Sequence, residues 1–93
     1  MENMTFRLND KVLFQKVVDE TVILEPETGQ YFTLDAIGTF MLEQIQAGLT
    51  LVEVTNKVIS TYDVQKPKAE QDLRNLITEM QRSGLVVAVA ING

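Results

Sequence analysis

The first third of the chain contains three short, mainly apolar segments separated by polar residues, and these predict three β-strands. Residues 12–18 (VLFQKVV) and 21–25 (TVILE) are rich in β-branched and aromatic side chains, as strands prefer. Residues 30–34 (QYFTL) resume the same pattern. Because successive side chains of a strand point to opposite faces, each segment can bury one face and expose the other. The pattern therefore predicts a β-meander.

Two short polar segments are predicted to be the turns of this meander. The pair Asp19-Glu20 separates the first two strands by the length of a tight hairpin. Residues 26–29 (PETG) mark the second turn more strongly, because proline presets φ and glycine adopts positive φ without strain. The three strands should therefore follow one another as antiparallel neighbours.

Apolar residues recur at helical spacing through the rest of the chain and predict three helices. Asp35 is a good N-cap for the first helix, and Gly48 is suited to end it. Thr50 and Glu53 form the pattern of a capping box at the start of the second. The third helix is predicted over residues 67–82, with a proline in its first turn.

The apolar tail, residues 85–91, is predicted as a final strand or a packed extended segment. The order is then three strands, three helices and a short C-terminal strand. This order predicts an α+β fold that is winged-helix-like, with its sheet at the N-terminus. A chain of 93 residues is the size of one domain, so we expect a single domain over residues 1–93.

The residue types narrow the chemistry. The chain has no cysteine and no histidine, so the usual ligands of zinc, iron–sulfur and haem sites are missing. Catalysis by a histidine-activated serine or cysteine is excluded as well. Asp72 and Glu79 share a helical face but lie about 10 Å apart by helical rise. Nothing nearby in the sequence supplies a nucleophile, so we predict no catalytic residue, no metal site and no cofactor.

Net charge and hydropathy indicate which partners and which cellular compartment to expect. The net charge of −5 disfavours nucleic acid and anionic lipid, both of which attract basic surfaces. The N-terminal residues are polar, and no apolar run has the roughly 18–20 residues that span a bilayer. We therefore expect a cytoplasmic protein with no nucleic-acid or membrane partner.

Three segments, in this order and spacing, resemble the PqqD-like family (PQQ-synthesis protein D), also known as the RiPP precursor peptide recognition element. The first is residues 22–38 (VILEPETGQYFTLDAIG), which looks like the family's hairpin and the start of its first helix. Asp35 stands where the family commonly has asparagine. The others are residues 48–54 (GLTLVEV), and residues 72–77 (DLRNLI) with Met80 and residues 84–86 (GLV).

This resemblance implies a non-catalytic domain that binds the leader segment of a ribosomally made precursor peptide. It implies that the leader adds a strand beside the third predicted strand and lies against the third helix. The bound precursor would then be presented to a modifying enzyme, such as a radical-SAM protein or a leader protease, in PQQ, lasso-peptide or radical-SAM-type biosynthesis.

The candidate peptide site follows from strand and helix geometry together with the resemblance. The third strand contains no proline that would block a main-chain ladder. On the third helix, helical spacing predicts that Ala69, Leu73 and Met80 face the core. Asp72, Leu76 and Glu79 lie on one flank of this apolar stripe. Helical spacing alone does not show which of the two flanks faces the peptide, and the resemblance at Asp72 favours the flank that contains it. The predicted peptide-binding residues are Gln30, Tyr31, Phe32, Thr33, Asp72, Asn75, Leu76, Glu79 and Met80.

Within this set, the strand residues are expected to pair with the leader backbone. Leu76 and Met80 would floor apolar pockets, and Asp72, Asn75 and Glu79 would orient polar or basic leader side chains.

Two other functions fit the predicted fold. A winged-helix DNA-binding protein needs a basic recognition helix, whereas the third helix mixes lysine and arginine with glutamate and aspartate. An interaction or oligomerisation module could hold the apolar tail of a neighbouring subunit at the same strand edge. The sequence leaves monomer and homodimer open.

Overall fold

The computed structural model describes residues 3–89. Its eight elements confirm the predicted α+β order and add one strand at the N-terminus. The elements are β1 (Thr5–Leu8), β2 (Leu13–Val17), β3 (Glu20–Leu24), β4 (Tyr31–Leu34), α1 (Ala36–Gln46), α2 (Leu51–Thr61), α3 (Lys66–Arg82) and β5 (Val86–Val89).

The predicted meander is present as an antiparallel sheet with strand order β2-β3-β4. The turn prediction at Asp19-Glu20 is wrong by one residue: Val17 pairs with Glu20, so Val18 and Asp19 form the loop. This register places apolar residues opposite each other, because Phe14 then pairs with Ile23. Such cross-strand pairs stabilise a sheet and outweigh the preference of polar residues for the turn.

The tail strand is confirmed as β5, which pairs antiparallel with β1 to form a second, two-stranded sheet. Residues 90 and 91 of the predicted tail lie outside the described residues. Strand β1 was not predicted, because the short alternation of Phe6 and Leu8 becomes a strand only when the distant tail pairs with it. Phe6 is buried and joins the N-terminal strand to the core.

The predicted helix ends are confirmed by their capping contacts. The side chain of Asp35 accepts a hydrogen bond from the Gly38 amide at 2.8 Å. Thr50 and Glu53 form the reciprocal capping box, with bonds of 3.2 Å and 2.8 Å. Gly48 follows α1 with φ of 91°, a left-handed conformation that glycine adopts at little cost. These features mark both ends of α1 and the start of α2.

One apolar cluster joins the helices to both sheets. Helix α1 packs against β1, β3 and β4 and also against α2 and α3. Phe40 of α1 meets Tyr62 edge to face, with ring centroids 5.3 Å apart. The fully buried side chains at the centre of the cluster are Ile23, Leu42, Ile45, Val54, Val58, Leu73, Ile77, Met80 and Leu85.

A buried pair of hydroxyl groups ties β3 to α1. The side-chain oxygens of Thr21 and Thr39 are 2.9 Å apart, and Thr39 also donates to the carbonyl of Leu34 at 3.4 Å. With that donation made, the Thr21 hydroxyl donates to Thr39. Both threonines are buried, so each depends on the other, or on β4, to satisfy its hydroxyl.

The two threonines should respond differently to substitution by valine. Thr39→Val leaves the Thr21 hydroxyl buried without its partner, which we expect to lower the free energy of unfolding by about 1–3 kcal/mol. Thr21→Val should cost less, because Thr39 keeps its bond to Leu34. Urea unfolding of both single variants and the double variant measures this difference. Equal losses for the two single variants would contradict the assigned direction of the bonds.

Val18 occupies a strained position at the tip of the β2–β3 hairpin. Its φ is 58°, in the left-handed region that β-branched residues rarely adopt, and its side chain is 89% exposed. Val18→Asn should therefore raise the free energy of unfolding by about 1 kcal/mol, because asparagine tolerates this conformation.

The same substitution at Val52 is the matched control. Val52 is also an exposed valine, but it lies within α2, where asparagine relieves no strain. Thermal or urea unfolding should show a gain only for the Val18 variant, and no gain there would show that the hairpin stores no strain.

Candidate functional site

The main chain of β4 presents hydrogen-bonding groups along an open edge of the sheet. The Glu25 amide donates to the Gln30 carbonyl at 2.8 Å, which identifies this pair as a hydrogen-bonded one. Because hydrogen-bonded and non-bonded pairs alternate along an antiparallel ladder, Phe32 and Leu34 bond to β3. The N–H and C=O groups of Tyr31 and Thr33 therefore point away from β3. Within residues 3–89, no strand pairs on that side.

The opposite edge of the same sheet is β2, and a charged side chain there hinders the addition of another strand. By the same alternation, Phe14 and Lys16 point their main-chain groups away from β3. The Lys16 ammonium group lies 2.9 Å from a carboxylate oxygen of Glu43 on α1. A charged side chain on the inward face of an edge strand hinders the addition of another strand. The β4 strand carries no such charge, so it is the more accessible edge.

The side chains of β4 divide between the core and the solvent. Phe32 is half-buried against the core beside Ile23, and Leu34 is buried. Tyr31, which is 69% exposed, and Thr33 lie on the outer face. One aromatic ring thus points inward and the other outward, as strand alternation predicts. An added strand would meet Phe32 on one face and Tyr31 on the other.

Helix α3 has one flank that faces α2 across a cleft and one flank that lies away from α2. A cleft of about 230 Å³ between the two helices is lined on the α3 side by Lys66, Glu70, Leu73 and Arg74. The flank with Asp72, Leu76 and Glu79 lies on the other side of the buried stripe, since residues advance by 100° along a helix. Of the two flanks that sequence spacing left open, the one not chosen therefore faces α2 across this cleft.

The predicted α3 residues differ in how much surface they offer. Leu76 is half-buried at the margin of the core, and Asp72, Asn75 and Glu79 are exposed. Met80 is only 1% exposed, which confirms the expectation from helical spacing that it faces the core, and in the free chain it offers almost no surface to a ligand. It is a core residue, because its position on the helix coincides with the centre of the buried stripe.

Two of the polar α3 residues already interact within the helix. Lys68 donates to an Asp72 carboxylate oxygen at 3.1 Å, and Gln71 donates its side-chain amide to Asn75 at 2.9 Å. Such exposed pairs four residues apart contribute only a few tenths of a kcal/mol, roughly 0.2–0.5. A ligand could therefore replace these contacts at little cost.

The predicted site residues lie on two elements, β4 and α3, and both of these elements pack against α1. Gln30 directly precedes β4, Tyr31 to Thr33 lie within it, and the remaining site residues lie on α3. Helix α1 follows β4 directly and packs against both β4 and α3. The relative position of strand and helix is thus fixed through α1 and not by a loop.

The turn that precedes β4 is held by the carboxylate of Glu25. This carboxylate accepts a hydrogen bond from the Thr28 amide at 2.7 Å, and the Glu25 carbonyl accepts one from Gly29 at 2.9 Å. The Thr28 backbone bond holds the pKa of Glu25 below its ordinary value, and although desolvation opposes this effect, a further hydrogen bond from the Thr28 side chain reinforces it. The turn therefore prefers the ionised form of Glu25.

This preference predicts a pH response of the turn. Because the folded-state pKa of Glu25 is lowered, its stabilising effect is present above the ordinary glutamate pKa. The effect is lost as pH falls through the lowered value. The amide resonance of Thr28 should titrate with that lowered pKa in NMR spectra, and Glu25→Gln should abolish the titration. A Thr28 resonance that titrates in the Gln variant would show that another group is responsible.

Neither a metal-binding cluster nor a membrane-spanning helix is found in the described part of the chain. No group of three or more carboxylate, histidine or cysteine side chains is placed to hold a metal ion there. Among the helices in residues 3–89, none combines the length and the apolar character that crossing a membrane requires.

Two solved structures share this fold. One, "TbiB1 in complex with the TbiA(beta) leader peptide", is 29% identical with a TM-score of 0.80, and the alignment covers 91% of this chain and 99% of that one. The other, "lasso peptide synthetase B1 complexed with the leader peptide", is 23% identical, also with a TM-score of 0.80. That alignment covers 88% of this chain and 96% of the other.

The sequence comparisons identify the family. No match is found among curated proteins. The family model described as "Coenzyme PQQ synthesis protein D (PqqD)" matches residues 20–86, from the start of β3 to the start of β5. This match covers well over half of the chain and includes both the β4 edge and α3. The chain therefore belongs to the PqqD family.

Proposed function

We propose that this chain binds the leader segment of a ribosomally made precursor peptide by adding it as a strand to β4. The observation that carries the proposal is the edge of β4, where Tyr31 and Thr33 turn their main-chain groups away from the sheet. Main-chain bonds of this kind provide affinity that depends little on the peptide sequence. Membership of the PqqD family and the likeness to TbiB1, solved with a leader peptide, support the same function.

Side chains on both elements then provide specificity. A strand on β4 places alternate side chains toward Phe32 on the inner face, where apolar leader residues would contact Phe32 and the exposed part of Leu76. Gln30 lies at the entrance to the strand. The carboxylates of Asp72 and Glu79 and the amide of Asn75 favour a leader with polar or basic residues beside its apolar ones.

The domain acts without catalysis in this proposal. It holds the leader and presents the rest of the precursor to a separate modifying enzyme, such as a radical-SAM protein or a leader protease. Its working location would be the cytoplasm, because ribosomes release the precursor there. In this reading residues 1–93 work as one recognition domain.

The alternative functions lose their specific support. The tail proposed for exchange between subunits is paired with β1 of its own chain over residues 86–89. A DNA-reading helix requires a basic surface, yet α3 exposes Asp72 and Glu79 within a chain of net charge −5. DNA binding would also leave the open edge of β4 without a role.

Thr33→Pro tests strand addition directly. Proline removes the outward amide of Thr33 without breaking a bond to β3, so the sheet should remain folded. We expect the affinity for a labelled leader peptide, taken from the precursor gene beside this one, to fall at least tenfold by fluorescence anisotropy. Circular dichroism should show the helices unchanged.

Lys16→Pro is the matched control, because it removes the corresponding outward amide at the β2 edge. Its leader affinity should stay within twofold of the wild-type value. If the Thr33 variant binds normally while the Lys16 variant does not, the leader adds to β2. If both folded variants bind normally, strand addition is the wrong mechanism.

A further inference from the structure

The outer face of the three-stranded sheet carries an apolar surface that no element of the described residues covers. Strand alternation and the register bring its members together across all three strands. Leu13 and Val17 of β2 are 59% and 52% exposed, and Tyr31 of β4 is more exposed still. We call this the outer patch; it comprises Leu13, Val17, Val18, Val22, Leu24 and Tyr31.

The hairpin tip at the end of the outer patch displays an apolar side chain in a strained conformation. Val18 is the most exposed of the large apolar residues and has positive φ. Glycine or asparagine would relieve the strain and also reduce apolar exposure. A strained residue that is poorly suited to its turn and projects into solvent is typical of a contact position.

Unpaired acidic charge lies beside the same tip. The ion pairs found within residues 3–89 are Arg7–Asp10, Lys11–Glu27, Lys16–Glu43 and Lys68–Asp72, and none includes Asp19 or Glu20. Glu20 lies on the outer face opposite Val17, and Asp19 is in the loop. The outer patch therefore combines an apolar centre with an acidic margin, and its complement is an apolar surface with a basic margin.

We propose that the outer patch is the docking surface for the enzyme that acts on the bound precursor. This inference rests on the proposed function, because a leader strand on β4 would extend the same face. Its alternate side chains would lie beside Tyr31 and Thr33, so a docked enzyme would contact this domain and the leader together. The docking surface of that enzyme is apolar at its centre and carries lysine or arginine opposite Asp19 and Glu20.

A second copy of this chain fits the outer patch less well. Two copies would bring net charges of −5 together, and each would contribute the same acidic margin to the contact. A basic partner gains from those charges, whereas a second copy is repelled by them. The charge therefore favours a different protein.

The test uses the chain of residues 1–93 and a purified modifying or leader-cleaving enzyme that acts on a precursor whose leader this chain binds. Leu13→Ser and Val17→Ser, combined in one variant, reduce the patch at β2, away from the β4 edge. We expect enzyme affinity to fall at least tenfold by biolayer interferometry, while leader affinity stays within twofold of wild type. Asp19→Asn with Glu20→Gln should weaken enzyme binding at low salt and flatten its salt dependence.

Val52→Ser is the matched control, since Val52 is an exposed valine on α2 outside the patch. Its enzyme affinity should be unchanged. Unchanged enzyme binding by the Leu13 and Val17 variant would overturn the docking proposal, as would an equal loss in the Val52 variant. Sedimentation in which the wild type dimerises and the patch variant does not would assign the surface to a second copy and overturn it too. Loss of leader binding by Thr33→Pro is measured separately, so each proposal can fail alone.

Discussion

The alternation of hydrogen bonds between β3 and β4 is the constraint on which the rest of the account depends. Once the Glu25 amide bonds to the Gln30 carbonyl, every second residue of β4 must turn its main-chain groups away from the sheet. The same register puts Phe32 and Leu34 on the inner face with Ile23. One pairing therefore decides both which amides an added strand can reach and which side chains hold β4 in place.

Helix α1 holds β4 and α3 in position relative to each other. The Asp35 cap starts the helix directly after β4, and the pair of buried threonines ties it to β3. The apolar face of α1 then packs on α3, so strand and helix are positioned by one support. Because the cap and the buried threonine pair of this support are both hydrogen-bonded, the edge can bind a peptide without a large ordering cost.

Most of the fold could be predicted because local signals and long-range packing agree. The capping box at Thr50 and the turn at residues 26–29 mark their own positions in the sequence. Strand β1 could not be predicted, since its existence depends on pairing with the distant β5. The hairpin loop was misplaced by one residue because the pairing of Phe14 with Ile23 outweighs turn preference. For the site, helical spacing correctly predicted that Met80 faces the core, but it could not show which flank of α3 lies away from α2.

Amide hydrogen exchange, followed by NMR with and without the leader peptide, tests the central claim most directly. In the free protein the amides of Tyr31 and Thr33 should exchange quickly, whereas the Phe32 amide, bonded to β3, should exchange slowly. Adding the leader should slow exchange at Tyr31 and Thr33 and leave the β2 amides of Phe14 and Lys16 unaffected. Protection of the β2 amides instead, or bound leader with no new protection at β4, would contradict the account.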